Sequence, residues 1–94
     1  MAAVTRKSDI NSGHEGYSAV ALNSGSPTVF VNGLPCGRKS DSYPSHTNGL
    51  TSHSGAISSG SSTVFVNSLP IARVGDSVSC GGTVATGSPN VNAN

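Results

Sequence analysis

Residues 28–41 read TVFVNGLPCGRKSD and residues 63–76 read TVFVNSLPIARVGD, so one phrase is written twice, beginning at 28 and again at 63. Repetition at this spacing constrains a short chain more than any single residue does. One such unit cannot bury its own apolar face, so copies must stack or close around a common axis. Two shorter phrases extend the pattern to three copies. Gly-Ser-x-x-Val occurs as GSPTV at 25–29, GSSTV at 60–64 and GSPNV at 87–91, and Arg-x-x-Asp occurs as RKSD at 6–9, RKSD at 38–41 and RVGD at 73–76. The expectation is a single domain over residues 1–94 with pseudo-threefold internal repeats.

Each TVFVN segment reads as a strand. Its β-branched residues suit a pleated surface, with Thr, Phe and Asn on one face and the two Val on the other. Asn32-Gly33 is a strong two-residue hairpin turn and Asn67-Ser68 a weaker one. The returning segments carry Pro35 and Pro70, which cannot donate to a ladder and belong at strand starts or edges. No stretch has the 3.6-residue apolar period of an amphipathic helix. The fold class is therefore all-β, built from short hairpins around an axis. A disordered linker could share this Gly/Ser/Asn-rich composition, but the register of the triplicated phrases speaks against it.

The Arg-x-x-Asp tetrads, Arg6/Asp9, Arg38/Asp41 and Arg73/Asp76, hold every charged residue except Glu15. Charge confined to one place in a repeat points to a recurring turn, in which Asp accepts backbone N–H groups and pairs with the Arg three residues earlier. With a net charge of +1 and 10% charged residues there is no basic stripe, which argues against nucleic acid as a partner. The opening MAAVTRKSDI lacks the apolar segment of a secretory signal, so synthesis in the cytosol is expected, with any export by another route.

A chain with no Trp, two Phe, two Tyr and one Met cannot assemble an aromatic core and calls for a staple. After each tetrad comes a metal-binding side chain, one residue and a glycine: His14-Glu15-Gly16, His53-Ser54-Gly55 and Cys80-Gly81-Gly82. The middle copy has an insertion, SYPSHTNGLTS, that adds His46. Three ligands related by a pseudo-threefold axis and a fourth supplied near it form a tetrahedron. His14, His46, His53 and Cys80 would give a closed, structural Zn2+ site with no position left for water. Cys36 occupies the position of Ile71 and reads as a small buried apolar residue. A Cys36–Cys80 disulfide, a catalytic zinc centre with Glu15 as base, and a free-standing structural or adhesive repeat protein without zinc are the competing readings.

SLPIARVGD at 68–76, preceded by GSSTVFVN and followed by SCGG, resembles the PAAR-repeat proteins, with Pro70-Ile71-Ala72-Arg73 one version of their motif and Pro35-Cys36-Gly37-Arg38 a more divergent one. The resemblance spans essentially the whole chain and is weakest over residues 1–24. It implies a small conical β-structure that caps the trimeric β-helical spike of a type VI secretion system or a contractile phage tail. It also implies no enzymatic activity, one copy per spike trimer, and transient contact with a target membrane. Zinc near the apex would be held by three His and one Cys, on this chain His14, His46, His53 and Cys80. The docking edges would be Val29, Phe30, Val31 and Asn32 together with Val64, Phe65, Val66 and Asn67. Because the chain stops at Asn94 without an attached effector, a bare tip is expected, as on a phage baseplate, located at the virion tail or secreted by a type VI system.

Overall fold

The structure is a computed structural model that describes residues 1–14 and 16–94. It is all-β and elongated to 38 × 24 × 21 Å, with eight short strands in four antiparallel pairs among the described residues. Strand β1 (Ala2–Ala3) pairs with β8 (Asn92–Ala93), β2 (Phe30–Val31) with β3 (Leu34–Pro35), β4 (Ser42–Thr47) with β5 (Ser52–Ala56), and β6 (Phe65–Val66) with β7 (Leu69–Pro70).

Three of these pairs are copies of one unit. Phe30 faces Pro35 and Val31 faces Leu34; Phe65 faces Pro70 and Val66 faces Leu69; Asn92 faces Ala3 and Ala93 faces Ala2. The third hairpin is thus assembled from the two ends of the chain. The strands are shorter than the five-residue TVFVN pattern predicts. Pro35 and Pro70 offer no N–H, and beyond them only the Cys36 and Ile71 N–H groups reach across, to the Val29 and Val64 carbonyls. At this same open end the Ser26 hydroxyl, rather than a neighbouring strand, accepts from the N–H groups of Thr28 and Val29. Val31 and Val66 point inward and Phe30 and Phe65 outward, as the alternation requires, but Val29 is exposed. Both hairpin turns place two residues in the left-handed region, Asn32 (φ 55°) with Gly33 (φ 80°) and Asn67 (φ 53°) with Ser68 (φ 68°). Ser68 therefore adopts a conformation that glycine takes without strain.

The three copies close into a ring. Isolated bridges join Val4 to Arg73, Arg6 to Cys36 and Arg38 to Ile71. The next residue along each copy completes a cyclic set of backbone hydrogen bonds, from Gly37 N–H to the Thr5 carbonyl (2.9 Å), from Thr5 N–H to the Ala72 carbonyl (3.1 Å), and from Ala72 N–H to the Gly37 carbonyl (3.0 Å). The Gly-Ser phrases pack against this ring so tightly that a Cβ on Gly60 would lie 2.8 Å from the Ile71 carbonyl oxygen, and one on Gly87 would lie 2.7 Å from that of Val4.

The apolar core falls on the two sides of the ring. Val4, Val31, Cys36, Val66, Ile71 and Ala93 form one cluster, with Val64 packed on it. Leu22, Tyr43, Ile57, Ala72, Val78 and Val84 form the other, with Cys80 against it. Neither cluster contains a Phe, since both phenylalanines are 56% exposed. Cys36 and Cys80 are free thiols in different clusters, which removes the disulfide alternative.

Two buried acids titrate late. Burial first, then the charge of Asp41, pushes the Cys36 thiol up from 9.0 to about 11. Burial, then Asp9 and Cys80, pushes the Tyr43 phenol up from 10.0 to about 12. Both pKa values are higher in the folded state, so their stabilising contribution is complete below the unfolded values and is lost as pH rises, over about 9 to 11 for Cys36 and about 10 to 12 for Tyr43. Among the described residues the Tyr43 hydroxyl is buried without a hydrogen-bond partner. Tyr43→Phe removes that unsatisfied group, so its unfolding free energy at pH 7 should equal or exceed that of the wild type, and it should lose the part of the alkaline decline above pH 10. Urea titrations at pH 7 and pH 11 test this. A loss of more than about 1 kcal/mol at pH 7 would mean that the hydroxyl is bonded after all.

Candidate metal centre

The long hairpin β4–β5 is the insertion in the middle copy. Tyr43 faces Gly55, His46 faces His53 and Thr47 faces Ser52, with the register slipping between Tyr43 and His46. Three residues on β4 thus span what two span on β5, and Pro44, which has no N–H for the ladder, lies in this bulge. The extra residue brings Tyr43 and His46 both inward although they are three apart, and both are buried. The sequence alternation alone would have put them on opposite faces.

His14 comes from a separate tight turn in which its N–H and carbonyl pair with the carbonyl and N–H of Tyr17 (3.1 and 2.6 Å), closed by Gly16 at φ 84°. Cys80 follows Val78, whose N–H is bonded to the Gly82 carbonyl. Its approach to the hairpin depends on Gly55, where an added Cβ would lie 2.9 Å from the Cys80 Sγ. The ligand-x-Gly pattern therefore has a different reason in two of its copies: a left-handed turn at Gly16 and a close approach at Gly55.

The structure brings all four predicted ligands together. His14, His46, His53 and Cys80 each offer one ligand atom, and these atoms lie within 4.8 Å of one another. Nε2 of His53 is 3.1 Å from Nε2 of His14 and 2.8 Å from Nε2 of His46, and the Cys80 Sγ is 3.9 Å from Nε2 of His46. A tetrahedral ion with ordinary metal–nitrogen and metal–sulfur lengths separates its ligand atoms by about 3.3 to 3.6 Å. These three edges depart from those values by up to about half an ångström, and every edge lies within 4.8 Å. Protons alone cannot satisfy the arrangement. A ring nitrogen has either one N–H or one in-plane lone pair, yet Nε2 of His53 faces two other ring nitrogens. One cation shared by all of them resolves the conflict, so the four side chains can hold a metal ion.

Their electronic state suits this role. Nδ1 of His46 lies 2.7 Å from the Ser18 carbonyl, which can only accept, so the proton is on Nδ1 and the Nε2 lone pair faces the cluster. His53 is held below the ordinary imidazole pKa by desolvation and then by the neighbouring His46 and His14, which favours the neutral, ligating form. Cys80 is half-buried against the second core cluster. Glu15, the acid that a catalytic reading would use as base, lies outside the described residues.

The remaining sequence-predicted residues lie elsewhere. Each Asp of the tetrads accepts from the backbone N–H, Nε and Nη2 of its Arg: Asp9 from Arg6, Asp41 from Arg38 and Asp76 from Arg73, with ion-pair contacts of 2.8, 3.0 and 2.8 Å. Asn32 and Asn67, predicted as parts of docking edges, also serve the joints between copies. Asn32 Oδ1 accepts from Arg6 and from the Ser88 hydroxyl, and Asn67 Oδ1 from Arg38 and the Ser26 hydroxyl. Val31 and Val66 are core residues, whereas Val29, Phe30 and Phe65 are exposed on the hairpins of the first cluster.

A search of curated proteins finds none that matches the chain. The family model described as the PAAR motif matches residues 47–94, which is 48 of 94 residues. The matched stretch includes His53, Cys80 and the β6–β7 hairpin and leaves out His14 and His46. With that match over half its length, on an all-β frame of repeated short hairpins, this chain belongs to the PAAR-motif family.

Proposed function

We propose that the protein is a zinc-stabilised tip that caps the trimeric β-helical spike of a contractile injection machine, a phage tail or a type VI secretion system. The observation that carries this reading is the pairing of one four-ligand cluster with three copies of one hairpin. The cluster abuts one half of the core through Cys80, and the Phe-bearing hairpins rest on the other half. Three similar faces on one chain suit a partner with true threefold symmetry, whose strand edges the short hairpins can extend. Zinc fits three imidazoles and one thiolate, and four protein ligands leave no position for a reacting water, which favours a structural over a catalytic role. Bound there, the ion would tie His14, the β4–β5 hairpin and Cys80 into one point that resists splaying under load.

The docking face can be tested without touching the metal. Phe30→Asp with Phe65→Asp places two charges on exposed positions, so the variant should keep its zinc content and its melting temperature. It should fail to co-elute with a purified trimeric β-helical spike fragment that binds the wild type at one copy per trimer. Undiminished binding by this variant would move the docking face elsewhere. A wild type that ignores such spikes altogether would favour a free-standing structural role.

A further inference from the structure

We propose that Tyr17 is the cap of the metal centre, closing the imidazole cage from outside and setting how fast the metal leaves. This rests on the reading of the four-ligand cluster as a zinc site. Tyr17 is not one of the four ligands, yet its ring meets all three histidines. The centroid is 4.1 Å from that of His53 with 25° between planes, 5.0 Å from that of His14 at 26°, and 4.9 Å from that of His46 at 36°. The first two are stacked arrangements, and His14 and His53 are themselves parallel to within 4°.

The ring is anchored from both sides. Its backbone is locked to His14 by the paired hydrogen bonds of the Gly16 turn. Its hydroxyl is hydrogen-bonded to the Thr51 hydroxyl, in the turn between β4 and β5. Tyr17 therefore latches the segment that delivers His14 to the hairpin that delivers His46 and His53. The ion is not needed to make this connection, so the latch holds the donors together before the metal arrives. Metal loss from a closed site requires a ligand to swing away and a water or chelator to enter in its place. A ring stacked on two imidazoles opposes their rotation and covers the side from which the replacement would come.

The test uses the full zinc-loaded chain and the release of zinc to a chromophoric chelator, with zinc content measured beforehand for every protein. Tyr17→Ser removes ring and latch and should release zinc at least about tenfold faster than the wild type, the kinetic equivalent of one strong aromatic contact. Tyr17→Phe keeps the ring and loses only the latch, so its acceleration should be smaller. Thr51→Val loses the same bond from the other side and should match it, and combining the two should add nothing further. Release by Tyr17→Ser at the wild-type rate would overturn the proposal. If Tyr17→Ser does not fold, the two latch variants decide, and wild-type rates in both would overturn it. A wild type that takes up no zinc would overturn the reading of the centre itself and the cap with it, an outcome that the metal analysis identifies before any rate is measured.

Discussion

Stripping the metal with a strong chelator at neutral pH should lower the melting temperature by more than about 20 °C, and His53→Ala should reproduce that loss without chelator. The size follows from what else holds the chain together. The core is split into two clusters of mostly small side chains, and the two largest apolar residues, Phe30 and Phe65, contribute little to it because they lie exposed. Structural zinc in small domains supplies roughly 10–16 kcal/mol of apparent binding free energy, comparable with the whole stability of an ordinary domain. A loss of only about 5 kcal/mol of that would already shift the transition by 20 °C or more in a chain of this length. Removing the ion also takes away the one partner that the clustered ring nitrogens can share, since Nε2 of His53 lies 3.1 and 2.8 Å from those of His14 and His46. Leu50→Ala, at a hairpin-tip residue that is 92% exposed, serves as the control and should melt with the wild type. Metal-free protein, verified by elemental analysis, that melts where the loaded protein does would refute the staple.

The parts of this fold that could be read from the sequence are those written at a fixed place in a repeat. The Arg-x-x-Asp tetrads recur with identical internal spacing, and the local turn needs nothing beyond those four residues. The four-residue cluster was legible for a related reason: His14, His53 and Cys80 each precede a glycine by two positions, and His46 sits in the one long insertion. The third hairpin was not legible. Its strands lie at 92–93 and 2–3, so a comparison along the chain finds half of it at each end, and Asn92 and Ala2 have replaced the Phe and Leu of the other copies. The axial ring of Thr5, Gly37 and Ala72 is held by backbone groups, which accept different side chains and leave no common letter. Tyr17 carried no signal either, because stacking between a turn and a distant hairpin has no characteristic spacing. The β-branched pattern alone overstates the length of the strands, because the hydroxyl of Ser26 takes the N–H groups that a longer ladder would use.

Asp41→Ala should cost about 3 kcal/mol and about 12–20 °C in melting temperature, far more than an exposed ion pair is worth. Asp41 is 5% exposed and accepts four hydrogen bonds, from the Arg38 backbone N–H at 2.8 Å, from Arg38 Nε and Nη2 at 3.0 Å each, and from the Ser24 hydroxyl at 3.0 Å. Its removal orphans a buried backbone donor and leaves a guanidinium that is 15% exposed with only neutral acceptors. Those acceptors lie outside the Arg38 turn: Nη1 donates to Asn67 at 3.2 Å and Nη2 to the Gly25 carbonyl at 3.3 Å. The turn thus aims Arg38 at the neighbouring hairpin, and without Asp41 the joint between copies loosens as well. Arg38→Ala should be milder, about 1–2 kcal/mol, because Asp41 keeps the backbone N–H and the Ser24 hydroxyl. The same logic predicts coupling. Asn67→Ala and Asp41→Ala act on one network, so the double variant should be less destabilised than the sum of the singles by about 0.5 kcal/mol or more. Denaturant titrations of the four proteins measure this directly. A cost below 1 kcal/mol for Asp41→Ala, or strict additivity with Asn67→Ala, would reduce the tetrads to solvated surface pairs and leave the closure of the ring to its backbone bonds alone.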